Sequence, residues 1–275
     1  MSALAPLFID GVALWAPALP GWDAAAPALR GEATPAVEPA APARRPAPAL
    51  LAANERRRAP DGVLLALEVA AAAVADAGAD AATLPSVFAS AHGELAVTDA
   101  MCRTLAENPR LLSPTRFHHS VHNAASGYWA IATGCRSAST ALAAGPYSVA
   151  QGLLEAAAVA LADDGPVLWV ASDSEACGPL ASVNASRGLL AAALVLSPRP
   201  GPRARWRLVL EPMPGPGAPT AARSAAAQAL QANASAPLLP LAEALAGVAH
   251  RELRLAAGPA LDLALSLRPH APART

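Results

Sequence analysis

The residues best placed for chemistry are three histidines in the middle of the chain. His118, His119 and His122 precede Asn123 in the run FHHSVHN, and two of them are four residues apart. Neutral imidazole is a common zinc ligand, so this spacing allows a metal site. No acidic or cysteine residue lies at a spacing that would complete the ligand set. We therefore expect a loop and then a helix capped by Asn123, with no metal and no other cofactor.

The nucleophilic side chains give weaker signals. Ser126 lies in AASGY and not in a G-x-S-x-G elbow, so a hydrolase triad is not supported. Cys102, Cys135 and Cys177 form no CxxC pair, and they predict neither a zinc ribbon nor a disulfide framework. Cys135 follows the C-terminus of a predicted helix, where the helix dipole disfavours a thiolate. We expect it to be an ordinary thiol.

Charge and hydropathy restrict the classes of partner. The 275 residues include no lysine and carry a net charge of −1 at pH 7, which gives no support for nucleic-acid binding. Arginines at 56–58 and at 203, 205 and 207 could contact an acidic partner, although a solvated surface explains them equally well. The N-terminus lacks a signal-peptide pattern, and the apolar runs are too short or too interrupted for a membrane helix. We expect a cytoplasmic protein with no membrane span.

Strands and helices alternate along most of the sequence. Strands are predicted over 8–14, 86–91, 137–144, 166–171, 189–197 and 205–211, and helices over 62–78, 95–107, 123–134 and from 146 to about 163. The strand over 137–144 turns sharply at Gly145 into an alanine-rich helix. Because helices separate the strands, we predict an α/β protein with a mostly parallel layered sheet.

The remaining segments are less regular. Residues 17–60 are rich in alanine and proline and predict a connector that carries Arg44 and Arg45. A second proline-rich linker is predicted over 212–219, before a helical stretch over 221–246 that breaks near Pro237 and Pro240. Two strands around 258–259 predict a terminal hairpin.

The middle of the chain resembles a known family. The run SPTRFHHSVHNAASGYWAIATG, followed by STALAAG, an alanine-rich helix, VLWVASDSEA and LLAAALVLS, resembles the N-terminal half of a β-ketoacyl synthase of the thiolase fold. More narrowly, the chain is similar to the ketosynthase-like chain length factors of aryl polyene and xanthomonadin-type pigment synthesis. The resemblance covers roughly residues 5 to 211 and is most specific over 113–155. It implies a thiolase-like domain over 1–211 and a strongly shortened C-terminal half over 212–275 that packs on it.

The resemblance also implies that the chemistry has been lost. A ketosynthase places a cysteine at the turn into a buried helix, where the helix N-terminus lowers the thiol pKa and N–H groups stabilise the oxyanion. Counting back from Gly152 puts that position at or next to Ala144. Neither Ala144 nor Gly145 can hold an acyl thioester, and Pro146 lacks an N–H. The short C-terminal part contains no H-G-T-like segment to supply the family's catalytic histidines.

The expected function is therefore that of a non-catalytic subunit. The resemblance implies a heterodimer with an active β-ketoacyl synthase, paired through the strand before the turn, in which this chain helps to shape the acyl tunnel for a growing polyene. Acyl carrier protein would be reached through the partner. Two alternatives stay open: a degenerate acyltransferase or synthase that uses Cys135 or Cys177, and a scaffold that binds carrier protein through its arginines. The candidate interface and tunnel residues are Phe117, His122, Asn123, Tyr128, Trp129, Ser139 and Leu142.

Overall fold

The computed structural model describes residues 2–33 and 45–270. The strands of this part are β1 Leu7–Ala16, β2 Leu19–Pro20, β3 Ser86–Ala89, β4 Ser139–Leu142, β5 Val167–Asp173, β6 Leu190–Ser197, β7 Trp206–Pro214, β8 Arg251–Gly258 and β9 Leu261–Pro269. The helices are α1 Trp22–Leu29, α2 Ala53–Arg58, α3 Asp61–Ala77, α4 Leu95–Glu107, α5 Pro114–Ser120, α6 Ala124–Thr133, α7 Ser148–Ala162, α8 Ala225–Gln228 and α9 Leu239–Ala246. Short 3₁₀ turns lie at 109–111, 145–147, 179–182 and 236–238.

All of the strands belong to one sheet in the order β4-β3-β5-β6-β1-β7-β9-β8, with β2 paired to β1. Only β3 pairs in parallel, with β4 on one side and β5 on the other. The remaining pairs are antiparallel, so the prediction of a mostly parallel sheet is wrong. A parallel pair needs a long crossover, whereas β5 and β6 are joined by a loop with one 3₁₀ turn and β8 and β9 by a tight hairpin.

Helices cover both faces of the sheet and create two apolar cores. One core joins α3 and Trp129 of α6 to the side chains of one sheet face, including Trp15 and Phe88. The other joins α1, α7 and α9 to the opposite face, including Trp169. Gly152 allows the close approach of α7 to the sheet, because a Cβ there would lie 2.6 Å from the Cβ of Ala89.

Two predicted helix ends are confirmed by backbone conformation. Gly78 ends α3 and Gly134 ends α6, each in the left-handed region at φ 65° and 70°. Glycine adopts this conformation without steric cost. Asn123 does precede α6 but makes no side-chain cap hydrogen bond, so the predicted cap is wrong. Its ψ of 14° is not the extended conformation that usually aims a capping oxygen at the first turn.

The segments at either end of the sequence form regular elements of the fold. β2, α1 and α2 lie within 17–60, so the description of that range as a connector is wrong for its described parts; residues 34–44, including Arg44, lie outside the described residues. The predicted hairpin is confirmed as β8 and β9. The expected division at residue 211 falls inside β7, which pairs with both β1 and β9. The C-terminal part therefore extends the same sheet.

Candidate functional site

The site begins at the turn between β4 and α7. β4 ends at Leu142, and Gly145 begins a 3₁₀ turn that leads into α7 at Ser148. Gly145 has a φ of 54°, in the left-handed region, with open space where a Cβ would lie. Pro146 follows it and supplies no N–H to the turn.

The side chain of Ser148 fixes the conformation of this turn. Its hydroxyl oxygen accepts a 2.9 Å hydrogen bond from the N–H of Ala144. It lies 2.8 Å from the carbonyl oxygen of Gly145 and 3.2 Å from that of Ser90, the two acceptors for its single proton. Because Ser90 follows β3, this buried hydroxyl ties the turn after β4 to the loop after the neighbouring strand.

A cavity of about 580 Å³ opens over the turn. Gly145 and Pro146 form part of its wall next to His92, and Asn184, Thr220 and Gln231 contribute polar groups from later in the chain. The described residues that line this cavity include no cysteine. At the turn, this cavity is lined by the backbone of Gly145 and the ring of Pro146.

A buried polar cluster lies at the ends of β3 and β5. Oδ1 of Asp173 accepts hydrogen bonds from the Ser90 hydroxyl at 2.6 Å and the Ala91 N–H at 2.9 Å, and Oδ2 accepts one from the Ser235 hydroxyl at 2.7 Å. Burial raises the pKa of Asp173, and the two hydroxyl donors oppose that rise. The cluster joins two strand ends to the C-terminal part of the chain.

His92 belongs to the same cluster. Its side chain is only 2% exposed, and its Nε2 lies 3.8 Å from Oδ1 of Asp173. Nδ1 lies 3.0 Å from the Gly93 carbonyl oxygen, and Nε2 has no hydrogen-bond partner among the described residues. Since a carbonyl can only accept, Nδ1 carries a proton and a second proton on Nε2 would face the Asp173 carboxylate.

A second cavity, of about 730 Å³, contains a perturbed carboxyl group. Glu94 lines it, together with Arg116 and Asp61. Burial raises the pKa of Glu94 to about 7; the N–H groups of Val63 and Gly62 oppose this rise, and the charges of Asp61 and Asp173 add to it. The group can hold or release a proton near neutral pH.

The three thiols lie away from the turn. Cys102 is exposed on α4, and Cys135 is buried with its Sγ 3.5 Å from the carbonyl oxygen of Leu84. Cys177 lines the second cavity, where burial and the negative charge of Asp99 raise its thiol pKa. A raised pKa lowers the thiolate fraction at neutral pH, so Cys177 is a poor nucleophile.

The other feature of interest is the open edge of the sheet at β4. The N–H groups of Ser86 and Ser90 donate to the carbonyl groups of Ala138 and Leu142. The backbone polar groups of Ala138 and Leu142 therefore face β3. The backbone polar groups of Ser139 and Ala141 consequently face away from the sheet. β4 pairs with no second described strand. Such an edge is able to pair with another chain.

Exposed apolar side chains lie on α5, on α6 and in the connections beside them, all of which precede β4 in sequence. Ile131 is 79% exposed and Phe117 is 59% exposed, and Leu111 and Val121 are also exposed. Single exposed apolar side chains are normal, but several in one segment next to an open strand are typical of an interaction surface.

The predicted interface and tunnel residues divide into three groups. Phe117, His122, Asn123 and Ser139 are exposed, and Tyr128 and Leu142 are partly buried. Trp129 is 2% exposed and packs in the core with α3, which leaves it unable to contact a partner directly.

The three histidines are not arranged as a metal site. Nε2 of His119 lies 2.8 Å from the Tyr128 hydroxyl, and the His118 ring packs against both. His122 is exposed and lies over Gly93. The described residues contain no group of three or more His, Cys, Asp or Glu residues that could hold a metal ion. No described helix is long and apolar enough to cross a membrane.

Sequence reasoning missed His92, Glu94 and Asp173. A signal was present, because HGE follows the first parallel strand and Asp173 ends a neighbouring one. The carboxyl ends of adjacent parallel strands lie at the same edge of a sheet, which is where polar functional residues collect.

The mixed sheet with helices on both faces, and the strand, turn and buried helix at the cavity, define the thiolase-like fold of ketosynthases. Residues 30–256 match the model of the β-ketoacyl synthase N-terminal domain family. The chain therefore belongs to this family.

Solved structures show the same fold. A ketosynthase in complex with its chain length factor from Xenorhabdus doucetiae matches with a TM-score of 0.71 and 22% identity, over 94% of this chain and 98% of that one. The ishigamide ketosynthase/chain length factor matches with a TM-score of 0.70 and 17% identity, over 98% of this chain and 100% of that one. A β-ketoacyl synthase from Burkholderia phymatum matches with a TM-score of 0.54 and 17% identity, over 70% and 59%. No curated protein matches in sequence.

Proposed function

We propose that this protein is a non-catalytic, chain length factor-like subunit that pairs with an active β-ketoacyl synthase. The observation that carries the proposal is the turn of Ala144, Gly145 and Pro146 at the cavity, whose described lining residues include no cysteine. The family resemblance puts the nucleophile of a ketosynthase at or next to Ala144 in this turn. None of these side chains can form a thioester with an acyl group. A protein that keeps the fold and the cavity without the nucleophile is suited to shaping a reaction in another subunit.

The open strand β4 provides the pairing surface in this proposal. The outward N–H and C=O groups of Ser139 and Ala141 are available to an antiparallel strand of a partner. The exposed side chains of Phe117 and Ile131 supply apolar contact beside it. An obligate interface of this kind buries more than about 2,000 Å² in total and is strongly apolar.

The similar structures support this proposal through the two kinds of protein that they contain. Two of the similar structures are described as a ketosynthase with its chain length factor, and each is matched over nearly its whole length. We extend the proposal to a product: Phe117 and the partly buried Tyr128 border the acyl tunnel of the partner and limit the length of a polyene chain that grows on acyl carrier protein.

Co-expression with an active β-ketoacyl synthase from the same source tests the pairing. The two proteins should co-elute in size-exclusion chromatography, and Ala141→Pro should separate them. Proline at this position removes an outward N–H and leaves the hydrogen bonds to β3 intact. Ala53→Pro is the matched control, because Ala53 is the first residue of α2, where proline is tolerated. Separate elution of the wild-type proteins would contradict the proposal.

The catalytic alternative has a distinct outcome. In that reading a cysteine of the isolated chain takes the acyl group from acyl or malonyl carrier protein as a new thioester, and the thiol of the carrier protein is released. If this transfer occurs and Cys177→Ala or Cys135→Ala abolishes it, the protein is an enzyme. The raised pKa of Cys177 and the burial of Cys135 argue against that result.

The length of the product distinguishes the scaffold alternative from a subunit that shapes the acyl tunnel. Phe117→Ala in the complex should shift the polyene length distribution seen by mass spectrometry. An unchanged distribution would support a subunit that holds carrier protein without shaping the product.

A further inference from the structure

The two ends of the main strand order differ in length and in what covers them. β4 stands at one end with four residues, and β8 stands at the other end with eight. β8 pairs with β9 and with no other described strand. A long strand at the edge of a sheet offers a row of N–H and C=O groups to any extended chain. Without a cover, β8 would therefore be the better template for unwanted strand addition.

A single residue covers the middle of this edge. The N–H of Thr220 donates a 2.8 Å hydrogen bond to the carbonyl oxygen of Arg254, and the N–H of Arg254 donates a 2.9 Å hydrogen bond to the Thr220 hydroxyl oxygen. Because a strand residue directs its N–H and C=O to the same side, both groups of Arg254 point away from β9. Thr220 therefore occupies the place of a further strand, with its hydroxyl oxygen in the role of a strand carbonyl.

The segment that carries Thr220 is held on both sides, and we call residues 215–224 the strap. On one side, the N–H of Gly217 donates to Oδ2 of buried Asp262 at 2.7 Å, and Nη1 of Arg254 lies 3.3 Å from the same oxygen. On the other side, Oε1 of Glu243 accepts a 2.6 Å hydrogen bond from the N–H of Ser224. Hydrogen bonds to carboxylates are stronger than those between neutral groups, so the strap is fixed to the hairpin and to α9.

The far end of β8 is covered from α7. A bulge between Ala256 and Gly258 leaves Ala257 out of register with β9. The carbonyl oxygen of Ala257 accepts a 2.5 Å hydrogen bond from the side-chain amide of Gln151. Two positions along β8 are thus occupied by other parts of the chain, whereas β4 pairs with no second strand in the described ranges.

We propose that Thr220 blocks strand addition at β8, so that another chain can join the sheet at β4 but not at its opposite end. The strand that Thr220 excludes is β4 of a second copy. Pairing of β4 in one copy with β8 of the next would join unlike surfaces, and such contacts repeat without closing. The proposal rests on the proposed function in taking β4 as the pairing strand, and it explains how one open edge gives a complex of fixed size.

Hydrogen exchange of individual amides in the full chain tests the cover directly. The N–H of Arg254 should be protected, and the outward N–H of Ala141 should exchange freely. Thr220→Val keeps the shape of the side chain and removes the oxygen that accepts from Arg254, so exchange at Arg254 should become at least about tenfold faster. Thr220→Ser keeps that oxygen and is the matched control, with no change expected. Equal exchange of Arg254 and Ala141 in the wild type would overturn the inference.

Sedimentation velocity of the isolated chain tests the consequence. Thr220→Pro removes both hydrogen bonds between Thr220 and β8 and leaves the N–H of Arg254 free. This variant should form species larger than a dimer, in amounts that grow with protein concentration. Adding Ala141→Pro should remove these species, because it takes an outward N–H from the incoming β4. If proline at 220 prevents folding, Thr220→Val replaces it in the same comparison.

Two results of this comparison would contradict the inference. One is a folded variant that exchanges fast at Arg254 and yet keeps the size of the wild type. The other is a set of larger species that survives in the double variant with Ala141→Pro, because the incoming strand would then not be β4.

Pairing with the ketosynthase separates this inference from the proposed function. If Ala141→Pro leaves that complex intact, the proposed pairing strand is wrong, whatever the exchange at Arg254 shows. If Ala141→Pro breaks the complex but Thr220→Pro forms no larger species alone, only the inference about β8 fails. Agreement requires larger species from Thr220→Pro alone and their loss when the ketosynthase occupies β4.

Discussion

Replacing Glu94 by glutamine should change how the stability of the protein depends on pH. The Glu94 carboxyl faces the N–H groups of Val63 and Gly62 at the start of α3, and its pKa is about 7 against an ordinary value of 4.5. Burial is the largest cause, and it outweighs the favourable N–H groups. The folded state therefore holds the proton on Glu94 more tightly than the unfolded state does.

The sign and size of the effect follow from this difference. The stability associated with Glu94 is fully present below pH 4.5 and is lost as the pH rises through about 7. At about 1.4 kcal/mol per pKa unit, the full loss is about 3 kcal/mol above pH 8. Glutamine keeps the shape and carries no charge, so Glu94→Gln avoids this loss and should be more stable than the wild type at pH 8.

Urea unfolding followed by circular dichroism at pH 5, 6, 7 and 8 measures the effect. The quantity of interest is the difference in unfolding free energy between Glu94→Gln and the wild type, in which the contributions of the other carboxyl groups cancel. It should rise by about 2–3 kcal/mol in favour of the variant between pH 5 and pH 8. Glu107→Gln, at the exposed C-terminal end of α4, the helix that follows Glu94, should show a flat difference. A flat difference for Glu94→Gln, or one that favours the wild type as pH rises, would mean that the α3 N-terminus stabilises the carboxylate and would refute the reasoning.

Three further changes test the packing and the thiols. Gly152→Ala should destabilise the protein by about 1–3 kcal/mol, because the new Cβ would lie 2.6 Å from that of Ala89. The control is Gly127→Ala on α6, where a Cβ meets open space, and it should be neutral or slightly stabilising. Equal unfolding midpoints for these two variants would contradict the close contact of α7 with β3. Ser235→Ala should lower the free energy of unfolding by about 1.5–3 kcal/mol, because it removes a buried hydrogen bond to the Asp173 carboxyl group. The same urea unfolding measures this change. A loss under about 0.5 kcal/mol would show that water replaces the hydroxyl. Thiol labelling at pH 7.5 should modify exposed Cys102 first and Cys177 more slowly, and Cys135 should react only on unfolding. The variants Cys102→Ser and Cys177→Ser will show which labelling phase belongs to which cysteine. Early labelling of Cys135 would contradict its burial.

The sequence predicted those parts of the fold that depend on local chemistry. The ends of α3 and α6 could be located because Gly78 and Gly134 adopt a conformation that other residues resist. The hairpin of β8 and β9 could be located because Pro259 interrupts two apolar runs. Strand direction could not be predicted, since alternating strands and helices do not reveal whether a connection crosses over the sheet or returns along it.

The candidate site was predicted in one part only. The turn between β4 and α7 was predicted, because the motif that carries it is continuous in sequence, whereas the assignment of Ala144 to the nucleophile position stays a prediction. The cluster of His92 and Asp173 depends on β3 lying next to β5, and no local pattern specifies that neighbour. The helix α1 was not predicted, because Pro27 lies within it and the surrounding sequence is rich in alanine.

The contacts of the turn explain how its shape is fixed. Ser148 holds the N–H of Ala144 and reaches the carbonyl oxygen of Ser90, so the turn fixes the end of β4 relative to the end of β3. The Ser90 hydroxyl in turn bonds to Asp173, which is bonded to Ser235 in the C-terminal part. In the proposed role, the outward groups of β4 must meet a partner strand in one register. We propose that a turn fixed through this chain of hydrogen bonds sets that register, so its function in this role depends on the backbone of residues 144–148.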